Sequence, residues 1–510
     1  MTTTKGKSGW VVAGLLLSIL MASMDNTIVA TAMGTIVGEL GGLNQFVWVT
    51  SAYMVAEMAG MPIFGKLSDM YGRKRFFIFG IIVFMIGSAL CGTASSIMEL
   101  SIFRAIQGIG AGALIPITFT VLLDAVSPEN RGKLMGLFGA VFGLSSIFGP
   151  LLGAFITDQI SWEWIFYINM PIGIVALLLV AKGYKETRNH SKQKIDWLGA
   201  ITLVGAVICL IFSLELGGKL YTWDSWQIIS LLAGFGLLSI LFLIAEKRAV
   251  EPIISFAMFK IRLFAASTMI AVLSGAAFIA ASVYLPIFIQ GVLGGTATNS
   301  GLMLLPMMVG TVVTATLGGV VMTKMSYRTI LSTTLFLLVI GLGMLTTITV
   351  DTSRFVITIY MIIVGLGIGA SFSVLTNSAI HSIPVADRGA ATSTLNFLRS
   401  FGMMLGITIF GIVQSHLMTR KLTESFQGGD EGAIPQGIDL KDPYVLMDST
   451  IRNAIPEGFL NQLLSGVSSS ITDIFLWSLI PAVLALIAAC AMGREKYDTK
   501  AEMEAYVSGH

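Results

Sequence analysis

Five polar side chains stand inside stretches that are otherwise apolar, and these are where the chain could do chemistry. Asp25 and Asn26 interrupt 21–32 (MASMDNTIVATA), Glu57 interrupts 45–65, and Arg104 and Gln107 lie one turn apart in 100–122. If those stretches cross a bilayer, an ionised Asp near the centre costs about 2.5–3.5 kcal/mol on insertion scales, so such residues usually face a cavity and mark an ion or substrate path. A carboxyl group there can take up and release a proton or hold a cation, and a guanidinium can serve as its counter-ion. The plainer uses are that Arg104 snorkels to the headgroups and that Glu57 pairs with a neighbouring polar group for packing alone.

Composition supports the membrane. Of 510 residues 55% are hydrophobic and 12% charged, with a mean hydropathy of +0.84, against about 25% charged in an average soluble domain. A net charge of +2 gives no support to nucleic-acid binding. Cys91, Cys209 and Cys490 sit in separate apolar runs, and His190, His381, His416 and His510 form no cluster, so the cysteines read as small core residues, and neither disulfide nor metal chemistry is expected. Lys5 and Lys7 before an apolar run, with Ala30-Thr31-Ala32 beyond it, imitate a secretory signal. The run from Trp10 is long enough to span, however, and more spans follow, so it reads as the first transmembrane helix.

Segments of spanning length fall near 10–32, 45–65, 76–97, 100–122, 134–157, 163–182, 196–217, 225–245, 264–289, 299–323, 329–349, 355–379, 392–417 and 470–493, which predicts fourteen helices. With the N-terminus inside, 24 of the 31 Lys and Arg, Arg399 among them, fall on the inner side and six on the outer, with Arg104 left within a span. The positive-inside rule then puts both termini in the cytoplasm.

A shift of 257 residues superimposes Gly108, Gly110, Gly112, Arg131, Gly132 and Gly149 on Gly365, Gly367, Gly369, Arg388, Gly389 and Gly406. The organisation read from this repeat is an N-terminal six-helix half at 1–190, an inserted helix pair at 191–250 and a C-terminal six-helix half at 251–510, with a long external loop at 418–469. Duplicated halves of six spans are expected of secondary transporters, whose substrate site lies between the halves near the midplane. Within the loop, 451–464 alternates as an amphipathic helix would, and Asp473 reads as a cap for the last span. The plainer reading is a solvated loop, the sharper one a lid over the outer mouth. Glu215 lies near an external helix end, where it can snorkel. The 27 Met and 30 Phe suit a promiscuous cavity, though most must serve packing or lipid contact.

Helical rise gives an independent pairing. At 1.5 Å per residue, Asp25 lies roughly 22 Å from the inner face and Arg104 roughly 7 Å from the outer face of a core about 30 Å thick, so the two share a depth. Glu57 is similarly deep, roughly 18 Å along the second span.

Three motifs then stand out. Gly65-Lys66-Leu67-Ser68-Asp69-Met70-Tyr71-Gly72-Arg73-Lys74-Arg75 forms the turn between the second and third spans, with glycines for close approach and Asp69 able to accept from a helix N-terminus or pair with Arg73. Arg104 to Gly112 reads RAIQGIGAG. Gly139, Gly143, Gly149, Pro150 and Gly153 make the fifth span bendable and tightly packed.

The first of these resembles, almost position for position, the signature loop GxLaDrxGrkr of the major facilitator superfamily. The second is similar to that family's RxxqGxgaG motif, and the third to its antiporter motif gxxxGPxxGG, with Ser145 and Ala154 replacing two glycines. Met24-Asp25-Asn26-Thr27-Ile28-Val29 and Trp162 to Gly173 (WEWIFYINMPIG) resemble signatures of the fourteen-span drug/proton antiporter branch, and Arg399 with Gly402 and Gly406 fits too.

The resemblance implies an all-α polytopic membrane protein of the major facilitator fold, two six-helix bundles plus the inserted hairpin. It implies a non-enzymatic, proton-coupled multidrug efflux antiporter in the cell membrane, working as a monomer by alternating access and exporting lipophilic, often cationic compounds. It needs neither cofactor nor metal; the proton motive force drives it, and no ATP phosphate loop occurs. Proton coupling falls to Asp25 and Arg104, with Glu57 a second acid that could carry the proton instead. The cytoplasmic gate falls to Gly65, Asp69, Gly72, Arg73 and Lys74, with Asp69 facing 389–393. The antiporter helix is marked by Gly143, Gly149, Pro150 and Gly153, and Asn26, Glu57 and Gln107 are placed on the substrate path. The alternatives are a metabolite facilitator or symporter of the same fold, and an intramembrane enzyme or assembly factor, which lacks any HExxH, GxSxG or Cys/His site.

Overall fold

A computed structural model describes residues 4–40, 47–126, 128–184, 186, 195–218, 220–295, 297–426 and 457–497. Its elements are α1 (Thr4–Leu40), α2 (Val47–Tyr71), α3 (Arg73–Cys91), α4 (Ile97–Ala125), α5 (Pro128–Gln159), α6 (Trp164–Tyr167), α7 (Asn169–Gly183), α8 (Trp197–Leu216), α9 (Trp226–Arg248), α10 (Phe256–Phe259), α11 (Arg262–Ile287), α12 (Ala297–Val321), α13 (Tyr327–Leu345), α14 (Arg354–Ile380), α15 (Arg388–Phe426) and α16 (Glu457–Ala491). Among the described residues no strand forms beyond two isolated bridges.

Local sequence explains where the helices begin. Ser96 caps α4 by accepting the Glu99 N–H at 3.2 Å, and Glu99 reaches back to the Ser95 N–H at 3.0 Å, so donors left over at the helix end are satisfied. Asp196, Ser225, Ser326 and Ser353 cap α8, α9, α13 and α14 in the same way. Gly72, with φ 114°, turns the chain between α2 and α3 in a conformation that costs glycine little. Past Pro286, α11 ends in the wider turn Phe288–Val292.

Twelve described helices are long and apolar enough to cross a membrane. Each of the fourteen expected spans coincides with a helix, but α2 and α5 are not among the twelve, so the count of fourteen remains an expectation. Large apolar side chains cover the outside: Trp197, Trp226 and Phe355 are 67%, 75% and 73% exposed, as a surface that meets lipid requires.

The repeat seen in the sequence is a repeat of packing. α4 lies against α2 and α3, as α14 lies against α12 and α13; α1 lies against α5, as α11 lies against α15. The paired glycines make this possible. A Cβ on Gly110 would strike the backbone of Phe84, and one on Gly367 the backbone of Leu338. Without a hydrophobic drive between helices in lipid, this backbone approach is what packing rests on. The two groups meet where α5 touches α12 and where α2 and α4 touch α15.

The inserted pair α8 and α9 packs together and rests on α2. Two expectations are corrected at the other end of the chain. The external loop is shorter than 418–469, because α15 continues to Phe426 and α16 begins at Glu457; residues 427–456 lie outside the described residues, as does the start of the amphipathic stretch. Asp473 is therefore no cap. It stands in the middle of α16 and pairs with Lys421 of α15.

Candidate functional site

Asp25 is the centre of a buried polar cluster drawn from α1, α3, α4 and α7. Its Oδ2 takes the guanidinium of Arg104, and its Oδ1 accepts from Gln107 Nε2 at 2.7 Å and from Asn169 Nδ2 at 2.9 Å. Arg104 Nη1 also donates to Gln107 Oε1 at 2.7 Å. Asn169 donates a further bond to Ser88 Oγ at 3.0 Å, and Ser88 donates to the Phe166 carbonyl at 2.8 Å. Asp25, Arg104, Gln107 and Asn169 are each at most 1% exposed.

The geometry follows from spacing. Arg104 and Gln107 are three residues apart, on one face of α4. Asn169 opens α7, whose Pro171 falls in the first turn, where a missing N–H costs nothing. Depth matching along the first and fourth spans is thus realised as an ion pair. A buried pair of this kind is weak evidence for stability, since removing one partner leaves an uncompensated charge; it is a place where charge matters.

The guanidinium also lies 4.1 Å over the Tyr53 ring of α2, a cation–π contact. Its Nε and Asn169 Oδ1 are buried without a hydrogen-bond partner. Asn26 is exposed and accepts from Arg104 Nη2 at 3.4 Å. Glu57, one turn beyond Tyr53, is half-buried and makes no hydrogen bond or ion pair among the described residues. The structure thus brings together Asp25, Asn26, Arg104 and Gln107, and leaves Glu57 one turn off the cluster with its carboxylate unpaired.

α5 presses on α1 directly beyond Asp25. A Cβ on Gly149 would run into Thr27 Oγ1, and one on Gly153 would stand 3.0 Å from the Ile28 carbonyl. Thr27 donates to the Ser145 carbonyl at 3.0 Å. Pro150 lies inside this helix; Gly139 and Gly143 belong to it too, but fall outside its described side chains.

The gate residues gather at the opposite end of α2. Arg73 Nη2 binds Asp69 Oδ1 at 2.8 Å, Asp69 Oδ2 accepts the Ala390 N–H at 2.8 Å, and Arg73 Nη2 reaches the Val385 carbonyl at 3.3 Å. Gly65 lets α2 approach Ser393 so closely that a Cβ would collide with its hydroxyl. Lys74 serves its own half, donating to the Tyr184 carbonyl at 2.7 Å. As expected, Asp69 faces the start of α15, and no acid stands at the matching place in 324–328 (KMSYR).

Three residues take parts that the sequence reading did not assign to them. Asn169 was visible only as a letter in INMPIG. Lys66, counted among surface anchors, is 7% exposed and binds Glu251 at 2.7 Å with Asp387 at 3.7 Å. Arg399, also counted as an inner anchor, is 8% exposed, eleven residues into α15. It donates to Asn396 Oδ1 and to the Ser371 carbonyl, both at 3.1 Å, and lies 4.9 Å over the Phe372 ring. A charge run by itself cannot tell an anchor from a cation buried two turns further on.

Comparison with known proteins places this geometry. A model of the Major Facilitator Superfamily matches residues 15–407. The chain is 53% identical over 504 residues to Multidrug resistance protein 3 of Bacillus subtilis (strain 168), covering 98% of each. It is 36% identical over 484 residues to Multidrug transporter protein MdtP of the same organism, covering 92% of this chain and 89% of the relative. In three dimensions it is similar to the proton:xylose symporter XylE, with TM-score 0.58 at 14% identity and 95% of both chains covered. It is also similar to the human organic anion transporter MFSD10, with TM-score 0.59 at 15% identity, 94% of this chain and 100% of that one; at such identities the likeness concerns the fold alone. Sequence and fold converge on one assignment: the chain belongs to the major facilitator superfamily, a family of membrane transporters and not of enzymes.

Proposed function

We propose that this chain is a proton-coupled exporter of lipophilic, often cationic compounds, working as a monomer in the cell membrane with both termini in the cytoplasm. The observation that carries the reading is the buried cluster in which Asp25 takes Arg104, Gln107 and Asn169. The names of the two Bacillus relatives, a multidrug resistance protein and a multidrug transporter, support the choice of cargo.

With the α2–α3 turn on the cytoplasmic side, the contacts of Asp69 and Arg73 with the start of α15 close that side, as an outward-facing or occluded transporter requires. A proton arriving from outside neutralises Asp25. A neutral carboxyl group turns one acceptor oxygen into a donor, so the three donors converging on it compete for fewer lone pairs. Arg104 then loses its counter-ion and turns towards other acceptors, which loosens the contact of α1 with α4 and α7. The halves, 1–190 with the pair 191–250 on one side and 251–510 on the other, rock, and the proton leaves to the cytoplasm. Re-ionised Asp25 and the unpaired Glu57 then attract a cationic substrate. Exchange of one proton for a net-neutral cargo moves one charge inward, worth about 2.3 kcal/mol per 100 mV; exchange for a monocation moves none, and the pH gradient alone then stands in place of ATP.

A second reading is favoured by one observation: Glu57 is half-buried with no partner among the described residues. It is the acid more open to solvent and cargo, and carries either the drug's cationic group or the proton.

Drug-driven proton release from proteoliposomes tests the proposal. Wild type should release protons when a cationic drug is added, and Asp25→Asn should not. An unchanged signal in correctly inserted Asp25→Asn protein removes Asp25 from coupling, and the same comparison with Glu57→Gln shows whether that acid replaces it. Counterflow that needs no pH gradient would favour a facilitator.

A further inference from the structure

Arg399 is a cation without an anion. It is 8% exposed in α15, and its two bonded acceptors, Asn396 Oδ1 and the Ser371 carbonyl, are neutral. No carboxylate of a described residue pairs with it, whereas Arg104 in the other half has Asp25. A guanidinium offers five N–H donors, so donors remain beyond these two bonds. Charged side chains are rarely buried unless paired, and a lone one within a membrane is by default a functional site.

The surroundings point to an anionic ligand. Ser371, whose carbonyl Arg399 grips, has a buried hydroxyl with no hydrogen-bond partner among the described residues. Phe372 supports one face of the guanidinium, and Phe278 of α11 stands edge-on to Phe372 at 6.4 Å. The arrangement is a planar fork backed by aromatic rings, the chemistry that suits a carboxylate on an apolar scaffold.

Its level in the bundle matches that of Glu57. α2 and α15 run antiparallel, with Gly65 against Ser393 and Asp69 against Ala390. Glu57 lies eight residues back from Gly65 and Arg399 six residues on from Ser393, roughly 12 Å and 9 Å above that crossing. Each half therefore contributes one unpaired charge of opposite sign at nearly one depth.

We propose that Arg399 is an anion subsite of the substrate path, taking the carboxylate of an amphiphilic zwitterion whose cationic end lies towards the N-terminal half. This rests on the exporter reading and extends its cargo from cations to zwitterions.

The test uses two aromatic substrates of one scaffold, a monocation and its carboxylate-bearing zwitterion, with full-length protein in proteoliposomes. The ratio of the zwitterion's KM to the monocation's should rise about tenfold or more in Arg399→Gln, and Arg399→Lys should recover part of it. An unchanged ratio overturns the proposal, as does equal loss of both substrates in a variant that purifies as a monodisperse protein. Phosphatidylcholine vesicles with and without phosphatidylglycerol separate a lipid phosphate from the substrate's carboxylate: an effect seen only with the anionic lipid overturns the assignment. If wild type moves neither substrate, the exporter reading fails. Equilibrium binding in detergent still decides the subsite, which stands if Arg399→Gln weakens the zwitterion selectively and falls if it does not.

Discussion

The carboxylate of Asp69 on α2 accepts the backbone N–H of Ala390, in the first turn of α15, at 2.8 Å. A carboxylate at a helix N-terminus meets both an unsatisfied donor and the positive end of the helix dipole. Here those two parties belong to different halves of the molecule, so the contact lasts only while this end is closed.

Asp69→Asn should therefore favour opening of that end. A hydrogen bond to a charged group is worth about 1.5–3 kcal/mol, so the closed-to-open ratio should fall about 10–100-fold. Electron-spin distance measurements between labels on the α2–α3 and α14–α15 turns would read the shift; an unaltered distance distribution would show that the latch carries no weight.

Asn169→Ala removes a donor from Asp25 and a bond to Ser88 in a buried cluster. We expect a loss of about 1.5–3 kcal/mol, measured as a lower Tm in detergent. Asn169→Asp should be worse, since it sets a second carboxylate against Asp25. Equal melting of wild type and both variants would refute the bonding.

Gly149→Val should push α5 off α1 at Thr27, an overpacking that costs about 1–3 kcal/mol. Gly343→Ala is the control, because a Cβ there meets nothing within 4 Å. Transport and yield should drop in the first and stay at the wild-type level in the second; a similar drop in both would trace the effect to helix composition and not to the α1–α5 contact.

Lys66→Met leaves Glu251 and Asp387 without their shared cation. Glu251 is partly exposed, so each pair is worth about 0.2–1 kcal/mol. The variant should open more readily than wild type at low salt, and the difference should shrink as salt rises. A difference independent of ionic strength would point to packing of the lysine stem.

What could be read from residues alone was what costs energy in a membrane. Asp25 and Arg104 stood out because each is expensive singly, and helical rise matched their depths before any contact was known. In the α2–α3 loop, residues alone showed a tight turn at Gly65 and Gly72 with Asp69 able to pair with Arg73 or meet a helix N-terminus; the role of a gate came only from the resemblance to the family's signature loop. Asn169 was not legible, since a neutral amide in an apolar run costs too little to draw notice, and its role depends on α7 meeting α1 and α3. Arg399 and Lys66 were misassigned because a basic residue near a helix end looks alike whether it reaches water or turns inward. Asp473 was misread as a cap because the helix starts sixteen residues earlier, at Glu457: polarity in the stretch before the last span hid helical continuity.

The two carboxylates at Lys66 bear on speed more than on strength. Glu251 follows α9, whose Glu246 holds the N–H groups of Ile253 and Ile254, and α9 packs with α8, which rests on the helix that carries Lys66. Glu251 is the first residue past the inserted pair and is held 2.7 Å from Lys66, while Asp387 of the C-terminal half lies 3.7 Å away; if the tether to α9 holds Glu251 with the N-terminal side, Lys66 would give up only Asp387 when the halves part. Its ammonium would then not be left bare on the way, the activation barrier for parting would omit the cost of stranding a buried charge, and the inserted helix pair would act as a lubricant of the cycle.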